Sequence, residues 1–245
     1  MTSKDWPTFW RAVLLSPNKR SSNLLTLTID GIEVKAREGT NILWVALDNG
    51  LYIPNLCAIR EATTPFASCR LCFVEIEGRS APVTACTEPV SDGMVVHLNT
   101  PKVKRLRNTA FELLLSHHNL DCANCAKNKN CGLQKTAAHL GLKMKPKRFR
   151  HIPRNLPIDS SHTLFTYDPN KCIVCGKCVW VCQHQGSGIL DFAYRGIDTV
   201  VSTFSGIPLA EAGCTSCLAC VTVCPVGSLT VKSGVDPILI PGAGI

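Results

Sequence analysis

The sequence has no run of eighteen or more apolar residues, so nothing in it reads as a membrane-spanning helix. No signal peptide is expected, because the longest apolar run near the start, Ala12-Val13-Leu14-Leu15, is too short for one. No G-x-G-x-x-G opens a helix after a strand, which excludes a dinucleotide fold of that kind. Aromatic residues make up only 6% of the chain, and the most basic stretch has a single aromatic, Phe149. A single-stranded nucleic-acid surface needs aromatics interleaved with its charges, so that class is set aside. These absences describe a chain without a substrate fold of its own, expected in the cytoplasm.

Cysteine is abundant: 15 in 245 residues, grouped in tight clusters. Clustered thiols point to metal in a reducing compartment and against a disulfide framework. Cys172, Cys175, Cys178 and Cys182 form one C-x2-C-x2-C-x3-C set. Cys214, Cys217, Cys220 and Cys224 form a second, followed by Pro225. This run holds two [4Fe–4S] clusters in bacterial ferredoxins, and the fourth cysteine of each set serves the other cluster. The expected ligand sets are therefore Cys172, Cys175, Cys178 and Cys224, and Cys182, Cys214, Cys217 and Cys220.

Upstream, residues 23–99 read as a small β-rich domain. Leu25–Ile29 and Ile32–Ala36 alternate about an Asp30-Gly31 turn, and Cys72–Glu77 is a further strand. A helix capped by Thr40 runs through Ile42, Leu43, Val45, Ala46 and Leu47 and ends at Asn49-Gly50. Cys57, Cys69, Cys72 and Cys86 lie on its loops with spacing C-x11-C-x2-C-x13-C. Four thiolates suit either [2Fe–2S] or zinc.

Residues 100–120 read as a helix with Leu106, Ala110, Leu113 and Leu114 on one face. It leads to Cys122, Cys125 and Cys131, three thiols with no fourth cysteine to spare. His118, in the spacing H-x3-C, is the expected fourth ligand, with His117 as competitor. The segment 100–142 thus offers three thiols and one histidine as candidate metal ligands. Residues 143–162 form a basic linker or wrapping segment, and 163–232 a ferredoxin module. Residues 1–22 carry a helical stripe of Trp6, Phe9, Trp10, Val13 and Leu14, suited to packing on this chain or on a partner. Residues 233–245 are an apolar tail.

The chain carries 26 Lys and Arg against 18 Asp and Glu, a formal +8. Four oxidised clusters with these ligands would bring about −7, leaving the loaded protein near +1. On that count the basic excess is better explained as compensation for buried anionic clusters than as a nucleic-acid surface.

This order of sites resembles the start of the large iron–sulfur subunit of respiratory complex I and of multi-cluster [FeFe] hydrogenases. By length it resembles most the iron–sulfur diaphorase subunit of bidirectional NAD-linked [NiFe] hydrogenases. Ser68-Cys-Arg-Leu-Cys72, Asp92-Gly-Met94, Asp121-Cys122 and Cys131-Gly-Leu-Gln134 carry the likeness. Cys182 departs from it, being followed by Gln183 rather than proline. The resemblance implies an α+β protein with three parts: a β-grasp [2Fe–2S] ferredoxin domain, a His/Cys3 [4Fe–4S] helical segment and a bacterial 2[4Fe–4S] ferredoxin domain. It implies one [2Fe–2S] cluster at Cys57, Cys69, Cys72 and Cys86, and three [4Fe–4S] clusters. FMN and NAD(P) would sit on a partner flavoprotein, and a catalytic subunit, [NiFe] hydrogenase first, would take or supply the electrons. A formate dehydrogenase, an electron-bifurcating hydrogenase or a complex I-like assembly is the alternative setting. On its own the chain is expected to turn over no substrate. A redox sensor or a zinc-loaded structural module is the reading of another class.

Overall fold

The computed structural model describes residues 23–233. The expected N-terminal stripe and all but the first residue of the apolar tail lie outside the described residues.

The first unit is a five-stranded sheet in the order β2-β1-β5-β3-β4. β1 (Leu24–Ile29) and β2 (Ile32–Arg37) form an antiparallel hairpin with Leu27 opposite Val34. Asp30 and Gly31 both take positive φ, 47° and 83°, which lets a two-residue turn follow the strand twist. The Asp30 carboxylate also accepts from the Leu98 amide at 2.7 Å and Asn99 at 3.1 Å, tying the turn to the end of β5 (Val95–His97). β5 runs parallel to β1 and antiparallel to β3 (Phe73–Ile76), and β4 (Val83–Thr84) closes the edge.

Helix α1 (Ile42–Asp48) buries Ile42, Leu43, Val45 and Ala46 in one core with Leu27, Ile29, Val74 and Val96. Its N-cap is Asn41, not Thr40. The Asn41 side chain donates to the Cys86 carbonyl at 2.7 Å instead of capping the helix, and the Thr40 carbonyl accepts from Val90. The helix start is thus set by pairing with the Cys86 loop.

α2 (Pro101–His117) begins as an N-cap should: the Thr100 hydroxyl accepts from the Val103 amide at 3.1 Å, and Pro101 fills the first turn. The buried face differs from the expected one. Val103, Arg107, Ala110, Phe111 and Leu115 face inward, while Leu113 is exposed. Both stripes are apolar enough to be chosen on periodicity. The helix turns the one that lets Arg107 reach the Phe73 carbonyl on β3.

A short helix α3 (Gly132–Leu140), absent from the expectations, ends in the left-handed Gly141. The basic segment then wraps rather than spans. Arg148 pairs with Glu112 at 2.7 Å, the Ile152 amide donates to the Ser116 carbonyl at 2.7 Å, and Leu156 exchanges two bonds with the Asn170 side chain. Most of its lysines remain exposed.

The last unit has β6 (Phe165–Tyr167) antiparallel to β9 (Leu229–Val231). α4 (Lys177–Gln185) packs against α5 (Ala219–Val223), and a hairpin of β7 (Asp191–Ala193) and β8 (Val200–Ser202) fills the insertion between the cysteine sets. A second core joins this unit to α2 and α3 and to the Cys57 loop, through Leu56, Phe111, Leu115, Leu133, Phe165 and Val226. Most of the buried cysteines lie in this second core, while Cys72 and Cys86 lie in the first.

Candidate metal centres

Cys57, Cys69, Cys72 and Cys86 are all at most 3% exposed. The Sγ atoms of Cys57 and Cys69 lie 3.3 Å apart, and the Cys69 amide reaches the Cys57 sulfur at 3.5 Å. Ala67 and Arg70, flanking Cys69, both adopt left-handed φ (51° and 54°), which bends the loop around the sulfurs. The S–H of Cys69 holds the Cys57 thiol down to about 6. Cys69 is pushed up by its bond to Cys57 and by burial, and Cys72 by its bond to Cys86 and by burial. The sulfurs of Cys57 and Cys69, and those of Cys72 and Cys86, thus face one another as two hydrogen-bonded pairs.

The second site is a cavity lined by His118, Cys122, Cys125 and Cys131, with Asn119, Asp121 and Gly227 around them. His118 is 5% exposed. Its Nδ1 is buried without a hydrogen-bond partner, and the Lys171 backbone bonds the ring. Burial pushes its pKa down to about 4, so the ring is neutral at physiological pH, the form that ligates a metal. An orphaned buried nitrogen on a residue that lines a cavity with three thiols fits a metal centre: without one its desolvation is uncompensated. His117 does not line this cavity. It lies half-buried near Ile152 and Arg154.

In the last unit the two cysteine loops repeat one geometry. The Val174 amide approaches the Cys172 sulfur at 3.3 Å, and the Ser216 amide approaches Cys214 at 3.4 Å. Val174 and Ser216 are both left-handed, as are Gly176 and Leu218 just before α4 and α5. Each loop is a tight wrap whose amides turn toward sulfur. Cys182 lines a mostly apolar cavity with Cys214, Cys217 and Cys220, beside Phe165, Leu190 and Leu209. Cys224 is an electrostatic neighbour of Cys172, Cys175 and Cys178, and burial raises all four thiols. Burial likewise pushes Cys220 up to about 12. So the chain brings the fourth cysteine of each set to the other set.

Among the described residues, no three His, Cys, Asp or Glu side chains converge tightly enough for a single metal ion. The Cys182 set and the His118 set each line a cavity, and soft thiolate donors with one imidazole suit iron–sulfur clusters as well as zinc.

Sequence reasoning missed two residues at these sites. Gly227 approaches Cys125 from far along the chain, and nothing local marks it. Arg107 sits on the inner stripe of α2, and its signal was a charge in phase with Val103, Phe111 and Leu115.

The fold and these sites define an iron–sulfur protein with a β-grasp ferredoxin unit and a dicluster ferredoxin unit. Three family models match: a 2Fe-2S iron-sulfur cluster binding domain over residues 22–101, the NADH-ubiquinone oxidoreductase-G iron-sulfur binding region over 107–146, and a 4Fe-4S dicluster domain over 171–228. A chain in a crystal structure of NAD+-reducing [NiFe]-hydrogenase superposes with a TM-score of 0.79 at 32% identity, covering 89% of this chain and 92% of that one. The protein belongs to the family of NADH-G-type iron–sulfur subunits to which that hydrogenase chain belongs.

Curated relatives are similar over most of this chain. NADP-reducing hydrogenase subunit HndD of Solidesulfovibrio fructosivorans is 37% identical over 84% of this chain and 36% of its own length. The NADPH-Fe(3+) oxidoreductase subunit alpha of Geobacter sulfurreducens is 37% identical over 85% of this chain and 24% of its own. An NADH-quinone oxidoreductase subunit of Rhizobium meliloti is 36% identical over 84% and 24%. The chain therefore spans about a quarter to just over a third of these relatives.

Proposed function

We propose that this chain is an electron-transfer iron–sulfur subunit. It relays electrons between an FMN- and NAD(P)-binding flavoprotein and a catalytic subunit of a cytoplasmic complex, with [NiFe] hydrogenase as first choice. What supports this reading is that the cysteines and His118 lie in or beside two apolar cores, with Cys182, Cys214, Cys217 and Cys220 on one cavity and His118, Cys122, Cys125 and Cys131 on another. The likeness to the NAD+-reducing [NiFe]-hydrogenase chain supports the choice of partner. No helix of the described residues is long and apolar enough to cross a membrane.

In this reading Cys57, Cys69, Cys72 and Cys86 hold a [2Fe–2S] cluster within residues 23–99. His118, Cys122, Cys125 and Cys131 hold a [4Fe–4S] cluster within 100–142. Cys172, Cys175, Cys178 and Cys224 hold another within 163–232, and Cys182, Cys214, Cys217 and Cys220 a third. When bound, such clusters supply one-electron redox centres. The chain's own part is to exclude water with Phe165, Leu190 and Leu209, to aim the Val174 and Ser216 amides at sulfur, and to hold His118 neutral. Amides aimed at sulfur and local charge are the levers by which a protein sets cluster potentials. Residues 143–162 are the wrap that locks the second site against the ferredoxin unit.

Native mass spectrometry of the purified complex tests the reading. A flavoprotein and a hydrogenase large subunit should co-purify. A formate dehydrogenase or quinone-reductase subunit in the second place would reassign the partner, and an isolated zinc-loaded chain would overturn the relay.

A further inference from the structure

Arg107 is 1% exposed, among the largest fully buried side chains of the protein. Its Nε and Nη2 both donate to the Phe73 carbonyl, at 3.1 and 2.7 Å. Phe73 follows Cys72 directly, so the guanidinium is anchored one peptide from the Cys57, Cys69, Cys72 and Cys86 set. Among the described residues no carboxylate lies within 4.0 Å of it. Asp30, the one carboxylate among the influences on its pKa, is already bonded to Leu98 and Asn99.

A buried guanidinium held by one neutral carbonyl is an uncompensated charge, and such charges are retained only where an anion offsets their desolvation. Burial is the largest influence on its pKa, lowering it to about 10. The positions that would oppose this if negatively charged are Cys72 first, then Asp30 and Tyr52. The missing anion has one source nearby. A four-thiolate [2Fe–2S] centre carries about −2 when oxidised and one further negative charge when reduced.

We propose that Arg107 is the built-in counter-cation of the [2Fe–2S] centre, and that its charge holds that centre's reduction potential up. The proposal rests on the [2Fe–2S] assignment above and adds a positioning residue outside the ligands. A fixed cation stabilises the reduced state more than the oxidised one, because the reduced state is more negative. The same two hydrogen bonds dock α2 on β3, so a purely structural role is the competing explanation.

The test is an EPR-monitored redox titration of the full chain in its complex, wild type against Arg107→Met, Arg107→Gln and Arg107→Lys. A [2Fe–2S] signal in the wild type establishes the assignment independently, and its absence would sink the assignment rather than this inference. With the signal present, Met and Gln should lower its midpoint by at least tenfold in the reduction equilibrium, about 59 mV for one electron. Lys should keep it within half that distance of wild type, and the [4Fe–4S] midpoints should stay in place. An unchanged midpoint in Met or Gln would overturn the proposal. If Met loses the cluster, Lys and Gln decide. Both can still reach the Phe73 carbonyl and only Lys keeps the charge, so equal midpoints in the two, or loss of the cluster from both, would also overturn it.

Discussion

Gly227, in the turn after Cys224-Pro225, backs directly onto Cys125: a Cβ added there would fall inside the van der Waals surface of the Cys125 sulfur. The same turn offers the Pro225 carbonyl to the Gly132 amide at 2.7 Å, at the start of α3. Two donor sets far apart in sequence are thereby pressed together, and glycine at 227 is what permits the approach.

Replacing that hydrogen should therefore damage the neighbouring unit. Gly227→Ala is expected to displace Cys125 and reduce occupancy of the His118 site, while sparing Cys57, Cys69, Cys72 and Cys86. Iron analysis should find about four fewer iron atoms per chain, the content of one cubane. Full iron content with unchanged EPR would show that the contact relaxes freely.

His118 supplies a neutral nitrogen where the other sites supply thiolate. A His118→Cys variant adds a negative charge to that centre and should lower its midpoint, by on the order of 100 mV on the precedent of His-for-Cys exchange. Redox-titrated EPR measures this directly. A midpoint equal to or above wild type would remove His118 from the ligand set.

Burial raises the thiols of Cys172, Cys175, Cys178, Cys220 and Cys224, so in the metal-free chain they are protonated at neutral pH. Ligation needs thiolate, so cluster insertion releases protons and is favoured as pH rises. His118 contributes no proton, because its pKa near 4 leaves it neutral throughout. Anaerobic reconstitution should give more iron per chain at about pH 8.5 than at about pH 7, and a flat profile would contradict this.

The wrap over residues 143–162 leans on the half-exposed Arg148 meeting the nearly buried Glu112. Arg148→Ala leaves that carboxylate without its donor, a loss of roughly 1–3 kcal/mol for a buried partner. Limited proteolysis should then cut between Lys143 and Arg154 faster than in wild type. An unchanged rate would mean that the Ile152 and Leu156 bonds hold the segment unaided.

The grouping of the cysteines is legible because ligand spacing is local: a tight loop needs Cys at fixed offsets. The β1–β2 hairpin was legible for the same reason, from Asp30-Gly31 between alternating runs. The inner face of α2 was not, since Leu106 and Leu113 offer a stripe as apolar as Val103 and Phe111. The face is decided by distant partners, the Phe73 carbonyl for Arg107 and the core around Leu133 and Phe165 for Phe111 and Leu115. The cap of α1 went to Asn41 through a bond to Cys86, 45 positions away, which no local signal encodes. Gly227 against Cys125 belongs with these. The sequence marks the donors, and the long-range contacts decide how the donor sets abut.

The central claim is that the four donor sets hold four redox centres that take up electrons reversibly. A stepwise dithionite titration of the purified complex, with iron analysis and spin quantitation on the same sample, tests it. The account predicts about fourteen iron atoms per chain, two plus three times four by cluster stoichiometry. One [2Fe–2S] signal should appear with the [4Fe–4S] signals, all restored after reoxidation without loss of iron. A colourless chain carrying zinc, or iron lost on the first reduction, would contradict it.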